Sequence, residues 1–259
     1  MLKKLFFAFA IALYGFTQAE IIECQNFKEI YNHIDKETLI ILDIDDTLLI
    51  PKQMVGCDEW FMHRLADYKK TMSDDDALEN ALKEWEAVRH LTQMMIVEPH
   101  TEEIIADLQN QGHIVMGLTT QGLALATRTS LQLKEQKVFL NLTAPSKEDL
   151  YFTVGHHGVL FRNGILFTSG QSKAESLKQL CSSISFQPKK IVFINDKASH
   201  LKDLERYALE SDIPFVGLRY GYSDFRKKEF SSEIADYQFS HSSLDSLMSD
   251  IDAKEALNQ

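Results

Sequence analysis

The stretch LIILDIDDTLL, residues 39–49, is an apolar run that breaks into three aspartates. Buried strands seldom end by crowding like charges, because each carboxylate raises the cost of ionising its neighbours. Asp43, Asp45 and Asp46 therefore mark a helix-capping cluster, a metal site or the working end of an enzyme. The rest of the chain has to decide.

Similar runs recur. TLIILDI (38–44), HIVMGLT (113–119), KKIVFIN (189–195) and IPFVGLRY (213–220) are rich in Val, Ile, Leu or Phe with little polar alternation. Continuous apolar runs suit parallel strands covered on both faces. Helical patterns lie between them. HTEEIIADLQNQG (100–112) puts Ile104, Ile105 and Leu108 on one face with Gly112 as C-cap, and SKAESLKQLCSSI (172–184) does the same with Leu177, Leu180 and Cys181. Such alternation predicts an α/β fold with a doubly wound, Rossmann-like parallel sheet, its core over residues 20–49 and 99–259.

Residues 50–98 interrupt the alternation. Phe61, Leu65 and Tyr68 share a helical face in 58–72, and Leu78, Leu82 and Trp85 form a stripe in 73–91 after Ser73 and Asp76 at capping-box spacing. A small helical cap inserted after the first strand is expected, with Trp60, Arg64 and Arg89 as candidates to face inward. Asn163-Gly164 between apolar triplets, in GVLFRNGILFTSG (158–170), signals a type I′ hairpin. Leu244, Leu247, Met248 and Ile251 predict a closing helix over 242–259.

The first residues, MLKKLFFAFAIALYGFTQA (1–19), read as a secretory signal: Lys3 and Lys4, an apolar stretch from Leu5 to Phe16, then Thr17-Gln18-Ala19. The apolar stretch is shorter than the roughly 20 residues that span a bilayer, so a cleaved leader is expected, with no stable membrane anchor afterwards and a periplasmic or secreted product. Its loss removes Lys3 and Lys4 and no acid, moving the formal charge from −11 to −13. That balance argues against nucleic acid as a partner. Cys24, Cys57 and Cys181 permit one disulfide but not a disulfide-built scaffold.

Open α/β sheets bind ligands beyond the carboxyl ends of their strands. The polar residues ending the apolar runs therefore belong together: Asp43, Asp45, Asp46 and Thr47 after the first, Thr119, Thr120, Gln121 and Gly122 after the second, Asn195, Asp196 and Lys197 after the third. Carboxylates gathered this way imply a hard divalent cation. His156 and His157 are adjacent with no third ligand nearby, and read as a solvated loop.

DIDDTLL resembles the D-x-D-x-T signature of the haloacid dehalogenase superfamily. IVMGLTT is similar to its second motif, Lys173 opening a helix to its third, and IVFIND to its acidic fourth. The signal sequence, GCDEWF, LTTQG, NGILFTSG and FVGLRY further resemble an exported bacterial branch, with a general likeness to exported acid phosphatases.

The resemblance implies a phosphatase acting through an aspartyl-phosphate on a small phosphorylated substrate. Asp43 would be nucleophile and Asp45 acid/base. Thr119 and Thr120 would hold phosphate oxygens and Lys173 would balance charge. Mg²⁺ would sit on Asp43, the Asp45 main-chain carbonyl and Asp196. Asp46 falls at the variable position and is expected to serve the turn. The fourth motif departs from the pattern: Asn195 precedes Asp196, His200 and Leu201 occupy the later positions, and Asp203 lies a helical turn too far for the usual role. Two rival functions follow. C–halogen hydrolysis needs no second aspartate, so Asp45 weakens it; a non-catalytic binding module would keep the fold alone.

Overall fold

The computed structural model describes residues 18–243 and 247–258. The expected leader lies outside the described residues except for Gln18 and Ala19. The strands are β1 (Ala19–Cys24), β2 (Thr38–Leu42), β3 (Leu49–Pro51), β4 (Met94–Ile96), β5 (Ile114–Thr119), β6 (Leu150–Val154), β7 (His157–Arg162), β8 (Ile165–Phe167), β9 (Lys190–Asn195) and β10 (Phe215–Tyr220). The helices are α1 (Asp58–Tyr68), α2 (Asp74–Leu91), α3 (Thr101–Asn110), α4 (Ala126–Glu135), α5 (Lys173–Ser183), α6 (Ala198–Glu210), α7 (Asp224–Lys228), α8 (Ser232–His241) and α9 (Asp250–Leu257).

Eight strands form one sheet in the order β1-β10-β9-β2-β5-β8-β7-β6. The run from β1 to β8 is parallel, and β7 and β6 extend it antiparallel. The fold is α/β and Rossmann-like, as the strand–helix alternation predicts. In β2, Ile40 and Leu42 pack into one apolar layer with Val115, Val192 and Leu218. Leu39 and Ile41 pack into the opposite layer with Met116, Phe193 and Phe215. Burial of both faces is why these runs carry no polar alternation.

The helical hairpin α1–α2 leaves and rejoins the core through the antiparallel pair β3–β4. Ser73 accepts the Asp76 N–H at 3.2 Å and starts α2. The expected stripe holds for Trp85 but not for the two leucines. Ala77, Ala81, Trp85, Val88 and Arg89 are buried, while Leu78 and Leu82 are 43% and 39% exposed. Trp85 and Val88 join Val55, Trp60 and Ala235 in one cluster, and this contact sets the helix rotation at the expense of the two leucines.

Three further departures stand out. β1, unmarked by any apolar run, adds an edge strand beside β10. The closing helix starts only at Asp250, capped by Ser249, which accepts the Asp252 N–H; Leu247 and Met248 precede it, and Leu244 lies outside the described residues. Gln238 donates to the Met248 carbonyl and holds that stretch out of the helix. Cys24, Cys57 and Cys181 are all buried free thiols, so the permitted disulfide does not form.

Asn163 and Gly164 turn β7 into β8 with φ of 52° and 76°, as a type I′ hairpin requires. A Cβ on Gly164 would lie 2.3 Å from the Leu140 carbonyl oxygen. Gly164→Ala should therefore cost about 1–3 kcal/mol in urea unfolding. Wild-type stability would contradict this reading of the turn.

Candidate active site

The carboxyl ends of β2, β5 and β9 meet the N-terminus of α5. Asp43 and Lys173 are both buried there, and the Lys173 ammonium donates to Asp43 Oδ1 at 2.6 Å. Ser172 caps α5 by accepting the Glu175 N–H. Asp203 on α6 accepts from Ser172 Oγ at 2.8 Å and from the Ala174 N–H at 3.1 Å. Asp203 thus anchors the turn that carries Lys173.

Burial pushes the Asp43 carboxyl up to about 7; Lys173 pulls it down, while Asp196 and Asp45 push it further up. Keeping Asp43 ionised at neutral pH therefore depends on neighbouring positive charge. Thr119 is buried at the end of β5, and its Oγ1 accepts the Gln121 N–H at 3.2 Å. Its hydroxyl proton is left for another acceptor. Thr120 is half-buried beside it, its carbonyl engaged by the Gly170 N–H.

Asp45 has both carboxylate oxygens in use. Arg89, buried on α2, donates to Oδ1 at 2.6 Å, and Gln121 donates to Oδ2 at 2.8 Å. Gln121 is itself fixed by the Thr129 hydroxyl, which donates to Oε1 at 2.6 Å. Arg89 is thus the inward-facing candidate of the insertion. Arg64 instead pairs with Glu84 inside the hairpin, and Trp60 donates to Asp236 on α8.

Asp46 adopts φ 58°, the left-handed region that a short polar side chain tolerates. Its N–H donates to the Leu49 carbonyl and its own carbonyl accepts from Ser223 Oγ. This is the turn role expected of it. Its carboxylate, however, is buried with Oδ2 3.7 Å from Lys227 Nζ.

Asp196 is buried after β9; its N–H donates to Thr47 Oγ1 at 3.1 Å, and Lys227 donates to its Oδ2 at 2.5 Å. Asn195 Oδ1 accepts the Lys197 N–H at 2.7 Å and so shapes the loop presenting Asp196. Lys197 Nζ reaches across to Asp58 on α1. Burial works against the ionised Asp58, yet Lys197, Arg89 and Lys227 outweigh it and hold its carboxyl below the usual range. His156 and His157 are exposed at the β6–β7 turn, as expected.

These contacts correct one expectation: the crowding need not await a metal, because Lys173, Lys227, Lys197 and Arg89 already face Asp43, Asp46, Asp196, Asp58 and Asp45. Of these cations Lys173 was legible from the resemblance, Lys197 only as a residue following the third apolar run and Arg89 only as one of three candidates in the insertion, while Lys227 carried no signal. Among the described residues no three His, Cys, Asp or Glu side chains converge as a metal cage. A hard cation held by two carboxylates and a carbonyl still fits the donors. Asp196 Oδ1 is buried without a hydrogen-bond partner, and Lys173 takes only one Asp43 oxygen.

A cavity of about 450 Å³ opens between the insertion and the C-terminal helices, lined by Gln53, Glu59, Arg226 and Glu229 among others. It does not reach Asp43, Asp45 or Lys173. Asp43, Thr119, Lys173 and Asp196 are buried, while Asp45 and Thr120 are half-buried.

Residues 23–254 match the family described as "Protein of unknown function (DUF2608)". The chain belongs to this family. It is similar to two chlamydial proteins that bear the name "Putative outer membrane protein". The one from Chlamydia pneumoniae is 25% identical, over 93% of this chain and 92% of its own. The one from Chlamydia trachomatis serovar D is 22% identical, over 85% and 84%. Among solved structures, a haloacid dehalogenase-like family hydrolase from Streptococcus pneumoniae aligns with 76% of this chain and all of its own, at 11% identity and a TM-score of 0.45. The fold assignment rests on the strand order itself. No helix among the described residues is long and apolar enough to cross a membrane.

His200 gives the site an acid sensitivity. Burial pushes its imidazole down to about 3, and Lys173 and Lys197 add to the shift. A folded pKa below the ordinary 6.5 means the neutral ring's contribution is complete above pH 6.5 and is lost as pH falls toward 3. Between pH 7.5 and 5, wild-type unfolding free energy should drop by about 1–2 kcal/mol more than that of His200→Gln. Parallel curves in chemical denaturation would contradict this.

Proposed function

We propose that this chain is an exported, Mg²⁺-dependent phosphatase that hydrolyses small phosphomonoesters through an aspartyl-phosphate on Asp43. The observation that carries the reading is the buried Lys173–Asp43 contact at the end of β2, a nucleophile and its charge partner held where open sheets take ligands. It joins the D-x-D-x-T resemblance and the order of the other motifs.

In this reading one oxygen of the Asp43 carboxylate attacks phosphorus, and the bond to the leaving alkoxide breaks in line. Asp45 gives that alkoxide a proton, then takes one from the water that hydrolyses the acyl-phosphate. Arg89 and Gln121 hold the Asp45 carboxylate in one orientation for both transfers. Thr119 donates its hydroxyl proton to a phosphoryl oxygen, Thr120 lies beside it, and Lys173 opposes the charge that builds on the phosphoryl group. Asp43, Asp196 and the Asp45 carbonyl would hold Mg²⁺. Once bound, it supplies a further positive charge against the phosphoryl oxygens.

The leader-like residues 1–19 and the name shared by the chlamydial relatives support a periplasmic or secreted location. A non-catalytic binding module is the second reading. It is favoured by the engagement of both Asp45 oxygens and by Lys227 on Asp196.

An assay against a phosphomonoester panel separates the two. Hydrolysis should appear with Mg²⁺, vanish in EDTA, and fall at least about a thousandfold in Asp43→Asn. Undiminished turnover by Asp43→Asn would sink the mechanism. A folded protein inactive on every ester would favour the binding module.

A further inference from the structure

Lys227 belongs to none of the motif positions. It lies on α7, after the last core strand, yet its ammonium meets Asp196 Oδ2 at 2.5 Å and Asp46 Oδ2 at 3.7 Å. Asp58 and Glu59 of the insertion also act electrostatically on it, in addition to the two aspartates it meets directly. The lysine is only partly withdrawn from water, its side chain 23% exposed, whereas Asp46 and Asp196 are almost wholly buried. Asp196 Oδ1 and Asp46 Oδ2 are buried with no hydrogen-bond partner. Lys227 supplies charge to this pair without satisfying all of its oxygens.

A carboxylate already facing an ammonium attracts a dication less, since the two cations repel each other across a short distance. The same ammonium lowers the cost of assembling buried aspartates before any metal arrives. We propose that Lys227 is an internal counter-ion that competes with the divalent cation for Asp196, stabilising the metal-free fold and weakening the site's hold on Mg²⁺. This rests on the metal-dependent reading above and adds the residue that sets metal affinity. The cation's task at Asp196 is shared between a tethered charge and a diffusible one. Metal uptake would then follow the free Mg²⁺ concentration and not saturate at trace levels.

The test is calorimetric titration of MgCl₂ into EDTA-stripped protein, with thermal unfolding recorded with and without Mg²⁺. Lys227→Gln should bind Mg²⁺ at least about tenfold more tightly than wild type. It should also melt lower in EDTA and regain stability when Mg²⁺ is added. Lys227→Arg keeps the charge and should bind as wild type does, as should Lys228→Gln, which removes an exposed charge from the next position. Equal Mg²⁺ affinity in wild type and Lys227→Gln would overturn the inference and leave the metal-dependent reading standing. Absence of Mg²⁺ binding in both proteins would overturn the two together. A Lys227→Gln chain that stays unfolded at saturating Mg²⁺ would also overturn it, because the metal could not then replace the lysine.

Discussion

Everything at the functional end of this molecule depends on compensating the carboxylates gathered where β2 stops. Buried Asp43 faces Lys173, half-buried Asp45 faces Arg89, and buried Asp196 and Asp46 face Lys227. Each cation comes from a different helix, α5, α2 or α7, so the cluster cannot be neutral until the sheet, the insertion and the C-terminal segment are all in place. Removing one member of such a pair leaves an unpaired buried charge, a far larger penalty than losing a surface ion pair. Charge balance therefore ties the tertiary structure to the site.

The insertion is held by more than Arg89. Lys197 reaches Asp58 at the start of α1, and Asp236 on α8 takes Trp60 Nε1 at 3.3 Å and lies 2.9 Å from His63 Nε2. The Val55 N–H donates to Gln238 on α8, and the Met54 N–H to Asp250 on α9. The helices α8 and α9 thus brace the insertion. Asp43, at the end of β2, is only 5% exposed.

Much of this was legible in the sequence, for definable reasons. β2, β5, β9 and β10 are covered on both faces, so their residues cannot alternate, and the apolar runs announce them. Asn163-Gly164 marks its turn because few other residues accept two successive positive φ values. Asp43, Asp45, Thr119, Lys173 and Asp196 could be gathered because they end strands or open a helix. β1 escaped notice because an edge strand carrying Glu20 and Glu23 has no apolar signature. The rotation of α2 escaped because two alanines and a tryptophan define its buried face less loudly than two leucines suggest. Lys227 escaped for another reason, as did the ion-pair roles of Lys197 and Arg89. In sequence they resemble any solvated cation, and only tertiary structure brings them to the aspartates.

The most direct test is a double-mutant cycle between Asp43 and Lys173, measured by denaturant unfolding at pH 8 in EDTA. Lys173→Met should lose about 3–5 kcal/mol, since it strands a buried carboxylate. Adding Asp43→Asn should restore part of that loss, giving a coupling of more than about 1.5 kcal/mol. Effects that add to within about 0.5 kcal/mol would mean the two groups do not depend on each other, and would contradict charge compensation as the organising constraint of this site.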